Sequence, residues 1–179
     1  EYSGNQDSPQ FITYDTYKQV SAKLESENKL PKSGIQFDES GLYDLKSYPL
    51  PSELPKELNH NGEPYYFKHY WPYLDALGNI LGYVLRYENK AGIDKTIRPA
   101  FQTDGNGKWI LKGIAKGEKR PLYRGELLLQ KPELRALIVA GEPCCDLGFS
   151  LFKNKLNVIT TQGGEGVISQ GDFEDLKDH

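Results

Sequence analysis

From Tyr65 onward, apolar and polar positions fall into short runs separated by turn residues. Tyr65–Tyr73 is an aromatic run, Asp75–Asn79 reads as a turn, and Ile80–Tyr87 is a second run with period two. Glycine and asparagine in that turn supply the positive φ a hairpin needs. Tyr83, Leu85 and Tyr87 fall on one face of the second run, with Arg86 and Glu88 on the other. Lys95–Phe101 predicts a third strand, Asp104–Gly107 a turn, and Lys108–Lys112 a closing strand. Together they predict a small antiparallel β meander. Arg120–Tyr123 then reads as a turn and Gly125–Leu129 as a short helix ended by Lys131-Pro132.

The next pattern differs. Arg135–Val139 is an apolar run that reaches a Gly141-Glu142 corner, Cys144–Phe152 is helix-like, and Asn157–Thr161 is a β-branched run ending at Gly163-Gly164. This is the outline of a β-α-β unit, with adjacent parallel strands joined right-handedly through the helix. Ligands bind at the carboxyl ends of strands in open α/β sheets, which makes Glu142 a candidate acid; a solvated glutamate at a structural corner is an equal reading. Ile168–His179 reads as the beginning of another helix. The fold class expected is α+β or α/β: a meander followed by an incomplete β-α-β half.

Upstream, residues 1–10 are polar, and Phe11–Lys29 has Tyr17, Val20 and Leu24 at helical spacing with Thr13 or Asp15 as cap. Leu30–Pro64 is dense in proline and charge, which disfavours long helices and central strands and suggests an extended arm or plain linker. The expected organisation is an arm over 1–64, a β subdomain over 65–124 and the β-α-β part over 125–179.

Composition narrows the partners. Of 179 residues, 37% are hydrophobic and 26% charged, and the formal net charge is -3, so no global basic field advertises nucleic acid. The local exception is Lys108, Lys112, Lys116, Lys119, Arg120 and Arg124, interleaved with Trp109 and Tyr123. Cations alternating with rings suit a single strand, and a solvated face suits the same residues. Arg86 and Arg98 are further candidates for that task. No apolar run reaches the length of a membrane span, so no membrane partner is expected. Cys144 and Cys145 are adjacent, which favours packing in a reduced, cytoplasmic setting over a disulfide or a zinc site. Asp146 reads as a helix cap or a support for Glu142. Asp172, Glu174, Asp175 and Asp178 read as acids in a helix's first turn rather than as a cation site. The chain contains no methionine and opens at Glu1, and is expected to be a processed piece.

Three ordered patterns resemble the Toprim-domain primase-like proteins of phages, plasmids and integrated elements. They are Tyr73-Leu-Asp-Ala-Leu-Gly-Asn-Ile-Leu-Gly-Tyr-Val-Leu-Arg86; then Ile97-Arg-Pro99, Lys108-Trp-Ile-Leu-Lys-Gly113 and Arg120-Pro-Leu-Tyr123; then Leu137-Ile-Val-Ala-Gly-Glu142 with Asp146, Asn157-Val-Ile-Thr-Thr-Gln-Gly-Gly164 and Asp172-Phe-Glu-Asp-Leu176. The resemblance spans about residues 70–179. It implies a parallel sheet with flanking helices and a glutamate after the first strand as general acid/base. It also implies a later Asp-x-Asp pair holding Mg²⁺, where a hard cation offsets charge developing on phosphoryl oxygens. The parent would make primers from NTPs on single-stranded DNA or a primer-template, beside a helicase domain or replication partner.

This chain departs from that pattern at Ala140, where the family's Glu-Gly-Glu has its first glutamate. Glu142 is then the remaining candidate acid, with Lys108, Lys112, Arg120 and Arg124 on phosphates and Trp109 stacking. The Asp-x-Asp pair would fall beyond His179, leaving no metal site within the chain and a piece inactive alone. Two other classes stay open: a non-catalytic module binding nucleic acid or protein, and a small-ligand α/β enzyme using Gly163-Gly164 for phosphate.

Overall fold

The computed structural model describes residues 38, 41–102, 107–114, 117–152 and 155–173. The amphipathic segment expected at Phe11–Lys29 and the acids Glu174, Asp175 and Asp178 lie outside the described residues, as does Lys116.

The first part is a five-stranded antiparallel sheet in the order β1 (Glu57–His60), β2 (Glu63–Leu74), β3 (Ile80–Asn89), β4 (Lys95–Gln102) and β5 (Trp109–Leu111). Four of these strands follow the periodicity; β1 does not. Glu57-Leu-Asn-His60 carries almost no apolar signal, and its hairpin is set by Asn61 and Gly62, at φ 55° and 86°. An Asn-Gly pair with both residues at positive φ matches the twist of the flanking strands.

A β-bulge decides what β2 does. The pairing of β2 with β3 shifts between Phe67 and His69, so Lys68 is the extra residue. Before the bulge, Tyr65 and Phe67 lie on the same face as Tyr83, Leu85 and Tyr87; after it, Tyr70 takes that face. Trp71 and Tyr73 are thereby turned to the opposite face with Val84. One strand thus feeds two cores.

The first core joins Leu54, Tyr65, Tyr83, Leu85, Tyr87 and Ala100, with Trp109 and Leu111 packed at its border. The proline-rich segment covers it. Over its described residues it runs through turns, as at Asp44–Ser47 and Pro51–Leu54, and it is packed rather than a solvated linker: Tyr43, Tyr48 and Leu54 are buried. Its carbonyls accept from tyrosine hydroxyls beneath it: Pro49 from Tyr83 (2.9 Å), Pro55 from Tyr87 (2.8 Å), and Leu45 and Tyr48 from Tyr70 (3.1 Å each). Each such bond adds about 0.5–1.5 kcal/mol and spares a buried hydroxyl from going unpaired.

The second part is a three-stranded mixed sheet in the order β6-β8-β7. β7 (Ala136–Ile138) and β8 (Asn157–Thr161) are parallel neighbours, as expected, joined through α2 (Glu142–Phe152). β6 (Leu122–Tyr123) runs antiparallel to β8 and occupies what the sequence marked as a turn. It leads into α1 (Glu126–Gln130), the short helix foreseen there. The α2 face turned to the sheet carries Glu142, Cys145, Gly148 and Phe149. Gly148 permits the close approach, since a Cβ there would lie 2.8 Å from Val158 Cγ1.

Over the described residues 168–173 the helix expected from Ile168 is not formed; the rest of that segment lies outside the described residues. Glu165–Gln170 is a 3-10 segment, and Gly171 then bridges Arg120 in parallel. Asp172 N donates to Arg120 O and Arg120 N to Gln170 O, so main-chain pairing to Arg120 displaces a further helical turn.

Candidate functional site

The seam between the two parts is polar as well as apolar. At the carboxyl end of β7 the chain turns sharply at Gly141, φ 85°, a conformation costly for a residue with a Cβ. The corner is pinned by Gly141 N donating to Thr160 Oγ1 (3.0 Å), whose hydroxyl donates to Val139 O (2.7 Å).

Glu142 follows in the first turn of α2. It is buried, and its Oε1 accepts the Tyr73 hydroxyl at 2.7 Å. Burial pushes its carboxyl above the ordinary range, and the Tyr73 hydrogen bond opposes that rise. Glu142 therefore faces inward, toward the meander. Ala140 is exposed at the strand's end.

One turn later, Asp146 uses both oxygens. Oδ2 accepts from Trp71 Nε1 (3.0 Å); Oδ1 accepts from the Tyr123 hydroxyl (2.9 Å) and from Arg124 NH2 (2.9 Å) and Nε (3.3 Å). Asp146 is thus the acceptor at the centre of the seam rather than a helix cap. Arg124 is fully buried at φ 62°, with its guanidinium 4.6 Å from the Tyr43 ring centroid, 5.5 Å from Tyr123 and 4.1 Å from Phe149. Cation–π contacts and an ion pair together offset the cost of holding that charge inside. Beside it Glu126, also buried, accepts the Tyr43 hydroxyl.

The expected basic stretch separates in space. Lys108, Lys112 and Lys119 are exposed. Arg124 leaves the set, because its charge is spent on Asp146 in the interior. Arg120 is half-buried and occupied: Nε donates to Gln170 Oε1 (2.9 Å) and NH1 reaches Gln162 O and Oε1 (3.4 Å each). Trp109 is half-buried, edge-on to Tyr83 at 4.9 Å, so the ring belongs to the meander's core and is not a free stacking platform. Arg86 pairs with Glu88, and Arg98 NH2 lies 2.9 Å from His60 Nδ1.

Cys145 packs as a small apolar residue, donating to Val158 O at 3.0 Å; burial pushes its thiol up, which makes it inert. Cys144 is exposed, contrary to the expectation that both cysteines pack. Among the described residues no group of three His, Cys, Asp or Glu side chains is placed to hold a metal. Both Asp146 oxygens accept hydrogen bonds within the seam, and Glu142 Oε1 accepts from Tyr73.

Sequence reasoning missed Tyr43, Tyr73 and Glu126. The visible signal for Glu126 was its place at the head of Leu127-Leu128-Leu129, where a helix buried by its leucines takes the acid inside with it. Family models, curated proteins and solved structures give no match to this chain.

Proposed function

We propose that this chain is a piece of a mobile-element primase-like protein directed to single-stranded DNA, contributing a β frame and an acid-cornered β-α-β unit rather than a complete catalytic centre. The observation that carries this reading is the parallel β7–β8 pair around α2 with Gly141-Glu142 at the carboxyl end of β7, which agrees with the order of motifs in the resemblance. The inward turn of Glu142 and the exposed Ala140 favour the second reading, a non-catalytic module that binds nucleic acid or protein.

Incubated with Mg²⁺, NTPs and a single-stranded template, the purified chain is expected to make no primer. Metal-dependent synthesis by these residues alone would place the active site elsewhere and overturn this assignment.

Binding separates the two readings. The exposed cations Lys112 and Lys119 should release counterions from single-stranded DNA, so affinity falls with salt. Changing both to alanine should flatten the log–log salt slope by about 1.4, at about 0.7 per phosphate contact on a single strand. A wild type with no measurable affinity at low salt would leave the protein-binding module alone.

A further inference from the structure

The charge on α2 is inverted. Both of its acids, Glu142 and Asp146, turn into the seam, where they accept from Tyr73, Trp71, Tyr123 and Arg124. Its outer side carries Pro143, Cys144, Leu147, Ser150, Leu151 and Phe152, and no charge at all. Leu147 is 61% exposed, Leu151 67% and Phe152 39%. Scattered exposed leucines are ordinary, but Cys144, Leu147 and Leu151 recur at i, i+3 and i+7 and so form one stripe along the helix. A surface helix shows water a charged side, whereas a helix without charge on either outer or core side belongs between two layers. The described residues supply one of those layers, the sheet met by Cys145, Gly148 and Phe149.

The 37 residues that precede Asp38 join the described part beside this helix. The rings of Tyr43 and Phe149 flank the same Arg124 guanidinium, 4.6 and 4.1 Å from their centroids. Tyr43 therefore lies within a helix diameter, about 10–12 Å, of the Phe149 ring of α2. Asp38 is drawn back to the same place by a turn: its N donates to Leu42 O (2.8 Å) and its Oδ1 accepts from Leu42 N (3.0 Å). Upstream, in the segment Phe11–Lys29, Tyr17, Val20 and Leu24 repeat the i, i+3, i+7 spacing of the α2 stripe. Residues 30–37 span up to roughly 25 Å when extended, about twice a helix diameter, which is enough to carry that segment from Asp38 to the outer side of α2.

We propose that Phe11–Lys29 docks on the outer side of α2, with Tyr17, Val20 and Leu24 against Cys144, Leu147 and Leu151, so that the chain's own N-terminal segment supplies the second layer. The match is apolar on both sides. At helical spacing Lys18, Lys23 and Glu25 fall off the Tyr17–Leu24 stripe and keep their charges in water. The tether selects this occupant over a second copy of the chain. A segment held within reach by a short connection acts at an effective concentration on the order of millimolar, which a separate molecule at micromolar concentration does not match.

The chain carries its own probe. Cys144 and Cys145 are its only cysteines, and Cys145 is buried with its thiol on Val158 O. Reaction with DTNB therefore reads the cover of the stripe at one sulfur atom in the whole chain. Wild-type Cys144 is expected to react about tenfold more slowly than Cys144 of the Val20→Asp/Leu24→Asp protein, since a factor of ten takes less than the burial of one such side chain supplies. Ser26→Asp, on the opposite side of the segment at helical spacing, should keep the wild-type rate. A wild type that reacts as fast as the double variant overturns the proposal. So does slow reaction that the double substitution leaves unchanged, and so does protection that grows with protein concentration, which assigns the stripe to a second copy. Unfolding of the variant would show itself as two reactive thiols instead of one. Methyl–methyl nuclear Overhauser contacts in the wild type then decide: cross-peaks from Val20 or Leu24 to Leu147 or Leu151 support the docking, and their absence refutes it.

Discussion

Replacing Asp146 with alanine is expected to lower the unfolding free energy by about 3–5 kcal/mol, the usual cost of removing one partner from a buried ion pair. The loss exceeds that of a surface pair because Arg124 is wholly enclosed, with aromatic rings on several sides and no route to water. The same substitution strips an acceptor from Trp71 Nε1 and from the Tyr123 hydroxyl. Asp146→Asn separates the contributions: it retains one acceptor oxygen but leaves the guanidinium uncompensated, and should recover only part of the loss. Urea denaturation of the three proteins measures this directly. A loss below about 1 kcal/mol for Asp146→Ala, the range of exposed pairs, would mean that Arg124 finds solvent and that the seam is not the buried network described.

Leu85→Ala should cost about 2–5 kcal/mol, for a different reason. Leu85 has no exposed surface and sits on the central strand of the meander, flanked on its face by Tyr83 and Tyr87 and opposite Tyr70. Those rings are held from above by bonds to the carbonyls of Tyr48, Pro49 and Pro55, so they are not free to collapse into the space left by the leucine. Rigid surroundings put this substitution toward the upper part of the range. The two losses should add to within about 0.5 kcal/mol, because the residues act in opposite faces of the sheet and share no partner. Marked non-additivity would show the two cores to be coupled through β2.

Much of this architecture is legible in the sequence. Ile80–Tyr87 alternates cleanly, Gly78 and Asn79 mark the hairpin, and the apolar runs at Arg135–Val139 and Asn157–Thr161 flank a helical stretch of suitable length. These features are local, so a linear reading finds them. What it does not find depends on contacts between distant residues. Arg124 looks like one more cation in a basic run, and only the fold sets it beside Asp146, 22 positions away. Tyr43 and Glu126 are separated by 83 positions, and no periodicity links a tyrosine in a proline-rich stretch to an acid heading a short helix. Over residues 168–173 the expected helix gives way for a similar reason: the main-chain pairing of Arg120 with Gln170 and Asp172 is a tertiary contact that a linear reading does not find. The Asn61-Gly62 turn was a local signal and could have been read; it predicts β1 even where the strand itself is polar.

The extra residue at Lys68 has a consequence for how the molecule can be divided. Because it reverses the phase of β2 halfway along, the rings of that strand belong to the tyrosine core at one end and to the arginine seam at the other. The boundary between the two parts of the protein therefore runs along the length of a strand instead of crossing a connecting loop. A cleavage between β5 and β6 would separate Trp71 and Tyr73 from the acids they serve, leaving a bare aromatic face on one product and, on the other, a Glu142 without its Tyr73 donor and an Asp146 that keeps only Tyr123 and Arg124. The meander and the β-α-β unit are thus mutual chaperones of each other's polar interior, and their partnership is written into one inserted lysine.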